Sequence, residues 1–503
     1  MTHGEGPRPW EPVRVAIVGG GITALSLAHR LRERAGPAWA SVTVLEASDR
    51  LGGKVVTYHD DDFTLEGGPD SFLNRKPEVR ELAEALGLGD QLIETPAAHR
   101  RSFIYLAGTL TRPPKGLVFG VPTDLESLFA SPLVSRAGKM RALEDLVLPR
   151  LLKDGQDVAV GDFLARRLGR EIVTRLTEPI LSGVYAGSAY ELSLDAVAPQ
   201  FREAERRRRS LIQGLKPQGQ GSRPNAQDLG RGHSGGETRE GGPPSVFSTL
   251  QSGLASLIQA LERSLQAKDV ELRTGHRGQV VRLARETDAH GEGAQYRLTL
   301  KTGESLSADH VILTVPAPDA AVLLEDVAPK ASAELGAIRY VDVALVGLGY
   351  RTGDVDPLAG SGYVVPRDQD LPVTATTWVS QKWPGTAPDG HVLIRVYLGR
   401  SGDAPVLTHS DEGLLTLARA SVRKTIGERR PPVLSRVIRV PRALPQYAVG
   451  HLERIARAEA ELSALPGLYA TGAAFYGVGL PDLVRQAQKT AERVVANLLP
   501  GGE

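Results

Sequence analysis

The chain has 503 residues, 41% of them hydrophobic and 24% charged, and its 60 basic and 59 acidic side chains nearly cancel. That length exceeds a single hydrophobic core, so two or three domains are expected, and the charge balance gives no footprint for nucleic acid. The absence of cysteine excludes disulfides, thiol nucleophiles, CxxC redox chemistry and thiolate metal sites, which leaves redox chemistry to a bound organic cofactor.

The first 12 residues lack the apolar segment of a signal peptide, and no stretch approaches the roughly 18 consecutive apolar residues of a membrane span. The expectation is a cytoplasmic protein without a transmembrane segment, with peripheral membrane contact left open. Val15, Ile17 and Val18 then form a β-like run into Gly19-Gly20-Gly21-Ile22-Thr23-Ala24, and a helix-like segment follows. This is G-x-G-x-x-A between a strand and a helix. Gly19 permits the tight turn, Gly21 lets the backbone approach a pyrophosphate, and Ala24 lets the helix pack on the sheet, with its N-terminus facing the phosphates. A second strand, 42–45, ends at Glu46, where a carboxylate accepts hydrogen bonds from ribose hydroxyls and repels a 2′-phosphate. The order of strand, glycines, helix, strand and acid reads as a dinucleotide-binding βαβ unit rather than a ligand-free glycine turn.

Val79, Leu82, Ala83 and Leu86 mark a further helix, and residues 118–202 read as a helical insertion, with Leu143, Leu146 and Val147 on one face and Phe163, Leu164 and Leu168 on another. Residues 203–245 begin with the run Arg206–Arg209 and continue rich in Gly, Gln, Ser, Pro and Arg, so they read as a disordered surface loop. The arginine run is expected to be a solvated helix end, the alternative being contact with anionic lipid or an acidic partner. Strands return at 270–272, 280–283, 296–300 and 307–316, as the second half of a nucleotide-binding domain, and 340–350 and 391–398 supply a separate sheet. Residues 467–472 run from a strand into a glycine turn, and a closing helix carries Val484, Ala487, Ala491 and Val495. The expected fold class is multidomain α/β and α+β. A discontinuous Rossmann-like domain (10–90, 247–325, 460–503) is joined to a mixed-sheet substrate domain (91–117, 326–459) and the helical insertion.

The cofactor these loops favour is FAD rather than NAD. Arg50-Leu51-Gly52-Gly53-Lys54 and Gly67-Gly68-Pro69-Asp70-Ser71 are two more glycine loops, and Gly477-Val478-Gly479-Leu480-Pro481-Asp482 opens the last helix. A helix N-terminus aimed at the pyrimidine end of an isoalloxazine stabilises negative charge on the reduced ring.

The stretches VAIVGGGITALSLAHRL, VLEASDRLGGK, EGGPDSFLNRKPE, EPILSGVYAGSAYELSL, ALPQYAVGH and GAAFYGVGLPD resemble the FAD-dependent porphyrinogen oxidases of haem synthesis, within the amine-oxidase-like flavoproteins. The likeness covers nearly the whole chain outside 203–245. GPDSFLNRKPE and TWVSQKWPGTAPDG resemble the Gram-positive bacterial type, which acts on coproporphyrinogen III, more than the eukaryotic protoporphyrinogen IX type. Ser102 stands where the eukaryotic type places a propionate-holding Arg before its F-x-Y element, with Arg100 and Arg101 just upstream. Ser188 stands where the family often has Asp, and Val440 where the bacterial type tends to have Trp.

The resemblance implies non-covalent FAD held by Gly19, Gly20, Gly21, Ile22, Thr23 and Ala24 at the pyrophosphate and by Glu46 and Ala47 at the adenosine. Gly53, Lys54, Gly68, Pro69, Asp70 and Ser71 would lie along the ribityl and flavin side, Val280 at adenine, and Val478, Gly479 and Leu480 under the flavin. It implies six-electron oxidation of a porphyrinogen to the porphyrin in three two-electron cycles, with O2 giving H2O2, and hand-over of product to a ferrochelatase. Pyrrole nitrogens stabilise the cation left by hydride loss, so no catalytic side chain and no metal are expected. Arg101, Tyr340, Leu345, Trp378 and Phe475 are candidate substrate-slot residues, core packing being the competing role. His451 reads as structural. The rival readings are an amine or carotenoid oxidoreductase on the same scaffold, and a silent FAD-binding tetrapyrrole carrier.

Overall fold

The computed structural model describes residues 12–216, 245–287 and 294–498. Strand β1 (Val13–Val18), helix α1 (Ile22–Arg34) and strand β2 (Ala40–Leu45) form the opening βαβ unit. They sit in a five-stranded parallel sheet ordered Glu271–Arg273, β2, β1, His310–Leu313, Leu468–Ala470. One sheet is therefore assembled from three distant parts of the chain. Its inner strands are buried on both faces, which explains why β1 is a nearly continuous apolar run. Val15 and Ile17 pack with α1 and the helices Ala255–Gln266 and Leu480–Leu498, while Ala16 and Val18 pack with Leu283, Leu298 and Phe475 on the other side. Val484, Ala487, Ala491 and Val494 of the closing helix are fully buried against the first face.

A second, seven-stranded sheet runs in the order Leu434–Pro445, Tyr340–Arg351, His391–Leu398, Ala375–Trp378, Gly362–Val364, Ser102–Leu106, Thr109–Thr111. All its pairings are antiparallel except that of Gly362–Val364 with Ser102–Leu106. The two-residue period sorts its central strand. Ala344, Val346, Leu348 and Tyr350 face the helix Asp411–Ile426, whereas Val343 and Leu345 face Phe63, Leu65, Ala186 and Trp383. A hairpin, Thr57–Asp60 with Phe63–Glu66, thus carries the segment leading to Gly67 against the second sheet.

Between the sheets' segments lie short helices from Leu125 to Gly214 with their own core around Val160, Leu164, Leu176 and Phe201. Here residues 203–216 correct the expectation of a disordered loop. Pro199–Arg208 and Leu211–Gly214 are helices that bury Phe201, Ala204, Leu211 and Ile212. The physical reason is a buried ion triad that composition conceals. Arg167 donates to Asp145 at 2.5 Å and to Glu205 at 2.9 Å, with all three side chains essentially inaccessible. Its remaining hydrogens go to the carbonyls of Asp145, Pro149 and Arg209. The arginine run caps this arrangement: Arg206 pairs with Asp154 and Arg207 donates to the Gly214 carbonyl. The rest of the expected loop, 217–244, lies outside the described residues.

Candidate functional site

The first glycine turn is shaped by contacts that only glycine tolerates. Gly19 has φ +110°, and a Cβ on Gly20 would lie 2.6 Å from that of Glu46. A Cβ on Gly21, by contrast, would meet nothing within 4 Å, so the turn opens onto free space at the start of α1. α1 has no capping side chain and no acid in its first turn, which leaves its first N–H groups available to an anion. The second glycine loop closes over this turn. Gly52 N–H donates to Gly20 O at 2.8 Å, and a Cβ on Gly53 would come within 3.2 Å of Gly21 Cα.

Glu46 accepts from Gly20 N–H at 2.5 Å, and from Ser48 N–H and Oγ at 2.8 and 2.7 Å. A carboxylate has about four acceptor positions, so capacity remains for a ribose hydroxyl. Ala47 follows it directly. Glu46 N–H donates to Arg273 O, and Gly278, two residues before the strand Val280–Thr287 begins, packs against the Glu46 carbonyl. The uncapped helix, the open space at Gly21 and the spare acceptor capacity of Glu46 offer the donors and the room that a dinucleotide requires. These residues fit FAD.

Lys54 extends from this loop to the carbonyls of Arg442 and Ala443, at 2.5 and 2.9 Å, with its Nζ 5.6 Å from the Tyr340 ring centroid. Burial, then Arg442, lowers its pKa to about 8. The third loop is held from the second sheet. Asp70 pairs with Lys382 and Arg395, each at 3.2 Å, and Arg395 also donates to the carbonyls of Glu66 and Gly68. Burial pushes the Asp70 carboxyl up, but the two cations outweigh it and hold it well below the carboxylate range. A Cβ on Gly68 would strike Lys54 O, so the two loops touch as well. Glu66 accepts from Leu254 N–H and Thr57 Oγ, yet burial wins there and raises its pKa to about 7. Ser71 donates to Asp70 and is reached by Lys382.

The last loop lies alongside. Lys76 holds Asp482 at 2.6 Å, and Leu480 shares a core with Ile22, Ala24 and Phe72. Val478 packs instead against the helical core. Residues 19–21, 52–54 and the start of the loop 68–71 are therefore brought together, while of 478–480 Leu480 shares the first sheet's core and Val478 the helical one.

The five slot candidates are not brought together. Leu345 lies on the sheet face toward Phe63 and Ala186, while Trp378 lies on the opposite face with Phe103 and Tyr363. Phe475, 4% exposed, packs beneath the parallel sheet. Tyr340 accepts from Ala317 N–H, and burial pushes its pKa up to about 12. Arg101 is exposed, and its carbonyl accepts from Ser361. Reasoning from sequence missed Lys382 and Arg395 as partners of Asp70. The available signal was Arg395 itself, a lone charge inside the apolar strand His391–Leu398. Among the described residues no helix is long and apolar enough to cross a membrane.

Residues 23–495 match the family of flavin-containing amine oxidoreductases. The chain is 37% identical to a coproporphyrinogen III oxidase of Bacillus subtilis (strain 168), over 94% of this chain and 96% of that one. It is 34% identical to a coproporphyrinogen III oxidase of Staphylococcus aureus, over 96% and 99%. A crystal structure from Exiguobacterium sp. 255-15, named for protoporphyrinogen oxidase, superposes with a TM-score of 0.81 at 35% identity, over 97% and 99%.

Proposed function

The chain belongs to the flavin-containing amine oxidoreductase family, and from that premise we propose that it is a coproporphyrinogen III oxidase of haem synthesis. It would bind FAD non-covalently and work in the cytoplasm. The observation that carries the reading is near-full-length likeness to relatives of that name.

Bound FAD supplies a two-electron acceptor that O2 reoxidises with release of H2O2, so that one porphyrinogen and three O2 give one porphyrin and three H2O2. The chain's own part is holding and excluding. The first turn of α1 would hold the pyrophosphate, Glu46 the ribose and Val280 the adenine. Lys54 and the loop 68–71 would hold the ribityl and flavin side, fixed by Arg395 and Lys382. Val478–Leu480 would complete the flavin side at the start of the closing helix.

We place the tetrapyrrole on the side of the second sheet that carries Val343 and Leu345, since these residues face the hairpin leading into the 67–71 loop. An apolar wall there excludes water and sets a methylene carbon in line for oxidation. No general base is required, because the pyrrole nitrogens carry the charge as the hydride leaves. His451 agrees with this: burial lowers its pKa to about 4, and its Nε2 is committed to Phe475 O.

The Exiguobacterium structure's name favours a second reading, oxidation of protoporphyrinogen IX. Anaerobic bleaching of the flavin band by each porphyrinogen separates the two. Faster bleaching by coproporphyrinogen III is expected. Equal or slower bleaching rejects the substrate assignment, and no bleaching by either rejects the activity.

A further inference from the structure

Tyr447 occupies a position the flavin chemistry leaves unexplained. It is 1% exposed, yet its hydroxyl uses both of its hydrogen-bonding roles on one loop. It donates to Ala473 O at 2.6 Å and accepts from Gly477 N–H at 2.8 Å. One oxygen thus ties both ends of the turn that leads into Val478–Leu480. The ring is itself fixed. It stacks on His451 at 4.1 Å between centroids and 13° between planes, and lies 5.8 Å from the Tyr185 ring of the helical segment. Its carbonyl accepts from Ser193 N–H at 2.7 Å.

His451 adds a third tie at Phe475 O, so residues 473, 475 and 477 are all held from one short segment. The far side of the turn is equally constrained. Gly477 has φ +117°, and a Cβ there would lie 2.8 Å from Asp482, which Lys76 holds in place.

We propose that Tyr447 is a positioning residue for the flavin, acting through this loop. Its hydroxyl sets the shape of 473–479 before the cofactor arrives, so binding pays little for ordering the loop. The proposal rests on the FAD reading given above.

The test compares Tyr447→Phe with Tyr363→Phe, an equally buried phenol whose hydroxyl bonds Ser421 and Thr425 on the far face of the second sheet. Flavin-free protein is titrated with FAD, and the visible spectrum and midpoint potential are recorded. Loss of the hydroxyl at 447 is expected to weaken FAD binding about tenfold and to shift both the flavin band and its potential. The same loss at 363 is expected to move neither. An unchanged dissociation constant, band and potential in Tyr447→Phe overturns the proposal. Hydrogen exchange of the peptide covering 473–479 in flavin-free wild type gives a measurement independent of the variant's folding: protection before FAD is added supports pre-shaping, and free exchange overturns it. Wild type that takes up no FAD at all sinks the flavin reading, a result distinct from either.

Discussion

Arg395 reaches from the middle of a sheet strand to Asp70, 3.2 Å away in a glycine loop more than 300 residues earlier, and ties the Gly68 carbonyl of that loop as well. Both side chains are largely buried, so each charge depends on the other and on Lys382.

Asp70→Asn keeps the shape and removes the anion, leaving two buried cations without it. Breaking such a buried pair costs about 3–5 kcal/mol, and thermal unfolding at pH 7 should show the loss. The acid side gives a second readout. Lys382 and Arg395 hold the folded Asp70 pKa below its unfolded value of about 4, so its contribution is complete above pH 4 and fades as pH falls toward the folded value. The variant should show a shallower loss of stability with acid; equal slopes would contradict the pairing.

Glu66 lies next to this cluster with the opposite shift. Burial raises its pKa from 4.5 to about 7, so the folded protein holds a proton there that the unfolded chain has released. Stability therefore declines as pH rises from about 4.5 to 7, by on the order of 3 kcal/mol in total. Glu66→Gln should abolish that decline and raise the melting temperature more at pH 8 than at pH 5. A uniform shift at both pH values counts against a buried, protonated Glu66.

Glu46→Gln retains an acceptor for one of its donors, Gly20 or Ser48, but loses the charge that strengthens a ribose contact. Hydrogen bonds to charged groups contribute about 1.5–3 kcal/mol, so FAD should dissociate at 10-fold or higher concentration in a fluorescence titration. Unaltered affinity would show that the ribose does not rest on this carboxylate.

Arg167→Met leaves Asp145 and Glu205 buried side by side without their cation. A cost of about 3–5 kcal/mol is expected, felt first as faster hydrogen exchange across the helices between 145 and 214. If exchange there is unchanged, the triad does not hold the segment.

Much of the nucleotide-binding half was legible because its chemistry is local. A tight turn needs Gly19 where φ is positive, and the end of a strand needs Glu46 beside the next glycine, so spacing alone exposes them. The second sheet was legible as strands but not as a surface. Leu345 and Trp378 both look like slot walls in a linear string, yet sheet pairing sends them to opposite faces. The arginine run is the solvated helix end its composition suggests, but the order of 203–216 was misread for a similar reason: Asp145 and Arg167, far earlier in the chain, must first be folded against Ser210 and Glu205.

What the sequence by itself determined is the opening strand–glycine-turn–helix unit and the family, since both rest on short-range backbone geometry that glycines and one acid encode directly. Only the tertiary structure decided which charges are partners and which phenol holds which loop. Asp70 with Arg395 and Tyr447 with Gly477 are pairings across tens to hundreds of residues. A buried ion or hydroxyl is stable only where packing brings its partner within hydrogen-bond reach, and no linear pattern carries that distance.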